Sequence, residues 1–166
     1  MKGGIAGLLA LTLWSLPLQA RATAVPDCKA RQMAVSLDDG QGAFNGMMHG
    51  GTWLVVRNTG ARACSVAWMG PLSFADGRHH RVAVTWRQAV PAPVMVLPAG
   101  GQMKTALRWV SGDVFDPGAC TTPATLVLPF RHGQVRHAFA HALCGPASSA
   151  PAIEQQPWTE GAPEGG

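Results

Sequence analysis

Residues 50–68 read GGTWLVVRNTGARACSVAW, and their pattern decides the fold. The stretch 52–57 is nearly all apolar, as expected of a strand covered on both faces. Asn58-Thr59-Gly60 then supplies turn chemistry. The segment carrying Cys64, Val66 and Trp68 is therefore expected to return antiparallel, as the second arm of a hairpin.

The same grammar extends in both directions. Upstream, Met33, Val35 and Leu37 alternate with Ala34 and Ser36 before Asp38-Asp39-Gly40 breaks the run and a Gly-rich loop follows. Downstream, Val82, Val84 and Trp86 face one way while Arg81, Thr85 and Arg87 face the other, the clearest half-buried strand of the chain. Pro91, Pro93 and Pro98 confine the next apolar piece, residues 94–97, to an edge or an extended link. Met103, Leu107 and Trp109 alternate with Gln102, Lys104 and Arg108. Residues 111–119 read as a loop and 124–128 as a strand. Arg131-His132-Gly133 makes a turn, and 135–143 reads as the last strand. No helical stripe persists. Short alternating segments with turn residues between them predict an all-β protein, an antiparallel immunoglobulin-like β-sandwich of about 7–9 short strands. The absence of tyrosine from the sequence excludes the tyrosine corner of true immunoglobulin domains.

The N-terminus reads as a secretory signal. Met1-Lys2 is basic, residues 5–18 are largely apolar, and small-x-small cleavage patterns fall within residues 20–25. The apolar stretch is shorter than the roughly 20 residues a spanning helix needs. The expected organisation is a signal peptide at 1–24, a β-sandwich domain at 25–144 and a disordered Pro/Gly/Ala/Glu tail at 145–166. No membrane span is expected after cleavage, and the location is periplasmic or secreted. Formal charge is +5 over 25–144 and −3 beyond it. The preferred reading is a solvated surface with modest net charge, and attraction to anionic envelope surfaces is the alternative. The scattered basic residues and the export signal argue against nucleic acid.

Cys28, Cys64, Cys120 and Cys144 make an even count in an exported chain, which points to disulfides. Zinc sites usually present close pairs such as C-x-x-C, whereas the gaps here are 36, 56 and 24 residues. Three pairings are possible. The preferred one, Cys28–Cys64 with Cys120–Cys144, closes the shortest loops, each stabilising by roughly 3.5–4 kcal/mol in the chain-entropy picture.

Cys28, Gly46, the apolar run into Asn58-Thr59-Gly60, and Cys64 come in a distinctive order. Gly70-Pro71, Asp76-Gly77, Pro98-Ala99-Gly100 and Cys120 complete it. In this order the chain resembles a family of exported bacterial domains catalogued as a domain of unknown function, numbered four-two-three-two. The resemblance spans about residues 28–144. It departs from the family pattern at Gly70-Pro71, where Gly-x-Pro is usual. It implies a secreted, disulfide-bearing, immunoglobulin-like sandwich and no catalytic residues.

Motifs for chemistry are sparse. G-x-S-x-G, a phosphate loop and H-E-x-x-H are all missing from the sequence. Asp113 and Asp116 flank an apolar pair, which Pro117-Gly118 explains as a turn. His137 and His141 sit four apart. On a strand this separates them by roughly 13–14 Å, too far for one ion. The three small alanines around them imply close packing on the alanine face and a more open histidine face. Met47, Met48 and His49 form a thioether–imidazole group suited to Cu(I). Trp53, Trp68, Trp86 and Trp109 read as core, whereas an exposed row of them would suit a sugar platform.

The expectation is thus an exported non-enzymatic binding or interaction module of the envelope, with no cofactor and an unidentified ligand or partner. The alternative is a periplasmic copper-handling protein using Met47, Met48 and His49.

Overall fold

The computed structural model describes residues 24–161 except Trp68 and Ala92. The expected signal peptide and the last five residues lie outside this range. Among the described residues there are fourteen strands. The first five are β1 (Met33–Asp38), β2 (His49–Asn58), β3 (Cys64–Val66), β4 (Ser73–Ala75) and β5 (Arg81–Val82). β6 (Thr85–Gln88), β7 (Met95–Leu97), β8 (Gln102–Val110) and β9 (Gly118–Thr121) follow. The last are β10 (Thr125–Phe130), β11 (Gly133–Ala138), β12 (Leu143–Pro146), β13 (Ala152–Gln155) and β14 (Thr159–Glu160). The protein is all-β, with more strands than the 7–9 expected.

The main sheet runs β1-β2-β8-β13-β6, and β14 also pairs with β8. Its register follows from alternation. Val35 lies opposite Val56 and Leu37 opposite Leu54, so the apolar residues of both strands share one face. β8 continues this face with Met103 opposite Val56 and Thr105 opposite Leu54. A second sheet, β11-β10-β4-β5, contains the Arg131-His132-Gly133 hairpin turn expected from the sequence. Two ribbons, β3–β7 and β9–β12, complete the structure. Both sheets contribute to one core. Leu54, Val56, Leu107 and Ile153 of the main sheet join Phe74, Leu126 and Leu128 of the second. Phe139 meets Phe74 at 5.1 Å and Trp109 at 5.5 Å between ring centroids, both edge-to-face.

The hairpin expected after Asn58 does not form. β2 already has β1 on one edge and β8 on the other, so no edge is left for β3. β3 pairs instead with β7, Cys64 opposite Leu97. Asn58 makes this corner. Its side chain is fully buried, and its amide nitrogen donates to the carbonyls of Arg62 (2.8 Å), Leu97 (3.1 Å) and Pro98 (3.0 Å). Its side-chain oxygen accepts from the Gly60 N–H at 2.9 Å. The Cys28–Cys64 disulfide then ties the relocated strand to the start of the domain.

Three further expectations are corrected. β2 is not covered on both faces: Thr52, Leu54 and Val56 are buried, whereas Trp53 and Val55 are half-buried and Arg57 is exposed. The strand predicted around Val82–Trp86 keeps its alternation but changes sheets between β5 and β6. The stretch 135–143 is interrupted after Ala138, and its open face is the reverse of that expected. Ala138, Ala140 and Ala142 are exposed, while Phe139 and Leu143 point into the core.

The largest correction is at the C-terminus. Residues 145–161 are not a disordered tail. β13 inserts between β8 and β6, antiparallel to the first and parallel to the second. Ile153 is 0% exposed and Trp158 is 6% exposed. Composition suggested a solvated segment, but Ile153 and Gln155 alternate inward with Glu154 outward, which suits a strand whose register its neighbours supply.

Candidate functional site

One end of the main sheet holds a partly enclosed cavity of about 440 Å³, within the range of small-ligand sites. The start of β2 (His49, Gly50), the end of β8 (Arg108 to Val110) and Ala152 and Glu154 of β13 form its floor. The end of β12 (Cys144 to Pro146) and the loop after it, as far as Pro151, form one wall, and Phe115 from the β8–β9 connection another. The Cys120–Cys144 disulfide fixes the first wall by joining directly opposed residues of β9 and β12.

Register supplies the cavity's charges. Arg87 of β6 lies opposite Glu154 of β13, and Glu154 lies opposite Arg108 of β8. Neighbouring strands are about 4.7–4.9 Å apart, so three strands present charges of alternating sign in one row. All three side chains are exposed and line the cavity. No ion pair joins them among the described residues. The row ends at Phe44, which packs on Gly51. A methyl group at Gly51 would meet the Phe44 ring at 2.5 Å, so glycine is needed there. The Arg108 guanidinium lies 5.2 Å over the Phe44 ring.

Behind the cavity, on the opposite face of β8 from Arg108, the core contains an unpartnered donor. Trp109 is 5% exposed, and its Nε1–H has no acceptor. Its indole edge occupies the space left by the missing side chain of Gly50. Buried donors are rarely left unsatisfied. His141 lies against the same group, 5.2 Å from the Trp109 ring and 5.0 Å from Phe139. Although the residue is exposed overall, desolvation by these rings lowers the His141 pKa below the ordinary imidazole value.

The residues singled out by sequence fall as follows. Cys28 pairs with Cys64 and Cys120 with Cys144, as preferred from loop length. Met47, Met48 and His49 have different surroundings. Met47 is 87% exposed, the Met48 sulfur folds against Gly112, and His49 lines the cavity. No group of three or more His, Cys, Asp or Glu is placed to hold a metal among the described residues. The carboxylate of Asp113 lies against Gly118, within the turn that Pro117-Gly118 predicted. The tryptophans form no exposed row. Trp109 and Trp158 are buried, Trp86 donates to Gln155 at 2.9 Å, and Trp53 is half-buried beneath Lys104. Trp68 lies outside the described residues. Sequence reasoning missed Arg87, Arg108 and Glu154, because only strand pairing joins them.

A second surface groove runs beside β11, shallower and lined by Lys29, Arg31, His132 and Arg136. Nearby, Asp27 pairs with Arg131 at 3.3 Å. None of the helices among the described residues is long and apolar enough to cross a membrane.

The family model described as a domain of unknown function (DUF4232) matches residues 28–159, and the chain belongs to that family. The match passes Cys144 and includes β13, in keeping with a domain that extends to the end of the described chain. No curated protein and no solved structure matches the sequence.

Proposed function

We propose that this member of the DUF4232 family is an exported, non-enzymatic binding module. It is built as an immunoglobulin-like sandwich and takes a small ligand at the end of its main sheet. The cavity of about 440 Å³ carries this reading. It combines aromatic walls with three charged side chains not used up in ion pairs with each other. Such a combination of apolar lining and a few convergent polar groups is characteristic of ligand sites. Two disulfides support a location in an oxidising compartment, periplasmic or secreted. The shared core of the two sheets supports the sandwich arrangement.

The test is amide-resolved NMR of the isotope-labelled domain against a mixed panel of amino acids, short peptides, sugars and organic acids. Saturable shifts confined to Gly50, Val110, Phe115 and Ala152 are expected. A panel that leaves those amides unmoved, or that is turned over chemically during the titration, refutes the reading.

A further inference from the structure

The charge row narrows the ligand class, an inference that rests on the binding reading above. The sign order across three strands is positive, negative, positive: Arg87, Glu154, Arg108. A simple anion bridging both arginines would lie directly on the Glu154 carboxylate, and like charges at that range repel. A simple cation on Glu154 would face an arginine on either side. Complementarity instead requires a ligand with both signs at neighbouring atoms. Charge complementarity of this kind sets specificity, because wrong partners meet like charges.

Beyond the row, Phe44 and Phe115 together with Pro146 and Pro151 offer apolar surface and no further charge. We infer that the cavity binds an apolar α-amino acid as its zwitterion. The ammonium sits on Glu154, the carboxylate on Arg108 or Arg87, and the side chain against the aromatic and proline walls. Arg108 is the better placed of the two arginines, because Phe44 holds its guanidinium at the cavity rim.

Calorimetric titration with L-phenylalanine and L-leucine tests this, beside N-acetyl-L-phenylalanine and L-phenylalaninamide, each lacking one charge. Hydrogen bonds to charged groups contribute about 1.5–3 kcal/mol, so each capped form is expected to bind about ten- to a hundredfold more weakly than the free amino acid. Glu154→Gln is an exposed substitution and is checked for folding by its melting curve. It is expected to weaken the free amino acid and, by removing the like charge, to bind the N-acetyl form at least as tightly as the parent does. N-acetyl-L-phenylalanine binding as tightly as L-phenylalanine, or Glu154→Gln without effect, overturns the inference. Cavity-localised NMR shifts with a sugar or an organic acid, and none with either amino acid, overturn the ligand class and leave the binding module standing. Silence from the whole panel overturns both.

Discussion

Replacing Asn58 by alanine tests whether one buried amide sets the corner between β2 and β3. The residue is 0% exposed, and its two amide protons serve three carbonyls at 2.8 to 3.1 Å, so at least one proton is shared. Its backbone is pinned as well: the Gly100 N–H donates to the Asn58 carbonyl at 2.8 Å, and the Asn58 N–H to the Gly101 carbonyl at 2.9 Å. Those backbone bonds survive the substitution; the side-chain bonds do not. Losing them and leaving buried carbonyls unpaired costs about 2–4 kcal/mol, or a fall of about 10 °C in melting temperature. Urea unfolding of the disulfide-intact domain measures the first quantity. Asn58→Asp sharpens the argument. Its carboxylate still accepts from Gly60 but faces three carbonyl oxygens, so at pH 7 it is expected to be no more stable than Asn58→Ala. The introduced acid has a folded-state pKa raised above the unfolded value of about 3.9. Its destabilisation therefore grows as pH rises from there through the folded pKa, and is relieved at lower pH. A loss below about 1 kcal/mol for alanine, the net worth of a single ordinary hydrogen bond, or an aspartate variant as stable as the parent at pH 7, refutes the reasoning.

Other perturbations have equally direct readouts. Ile153→Ala removes a fully buried side chain from β13 and is expected to cost about 2–5 kcal/mol in urea unfolding; a disordered tail would show no change. Mild reductant is expected to open Cys120–Cys144 first, because Cys120 is exposed while Cys28 and Cys64 are both 3% exposed. Peptide mapping after timed alkylation reads the order. NMR titration is expected to place His141 below the ordinary imidazole value of about 6.5. A depressed histidine favours the neutral folded form, so its contribution is complete above the unfolded pKa and is lost as pH falls from there through the folded one. A normal His141 pKa would contradict its packing on Trp109 and Phe139. Asp76 accepts backbone N–H groups from His80 and Arg78, both at 2.8 Å, which lower its carboxyl pKa. Its titration by carbon-detected NMR is expected below that of Asp76 in the unfolded chain.

Much of the fold was legible in local pattern. Met33, Val35 and Leu37, like Met103, Leu107 and Trp109, announce an inward face by alternation alone, and alternation is a property of a single strand. The cysteine pairing was legible because loop length favoured it. What failed was whatever depended on the occupancy of strand edges. Nothing in Asn58-Thr59-Gly60 tells whether the next segment returns to β2 or departs, since that depends on β1 and β8 having already taken both sides. Ile153 and Trp158 were hidden by prolines, glycines and glutamates around them, although their inward spacing is visible once β8 is in place. The cavity was the least legible feature. Arg87, Arg108 and Glu154 are ordinary surface charges in sequence and acquire a joint meaning only through parallel pairing of β13 with β6. Trp109 was correctly assigned to the core, but its unpartnered nitrogen depends on Gly50 opposite it.

The position of β13 also fixes the order in which the protein can be completed. The strand that joins β8 to β6 comes from residues 152–155, made after every other strand of the main sheet except β14. Until they emerge, the sheet is two fragments with raw flanks at residues 107–109 and 85–88, open to other chains. A nascent molecule thus keeps its main sheet unfinished until residues 152–155 have emerged. A premature stop near residue 146 yields not a shorter domain but a sticky one.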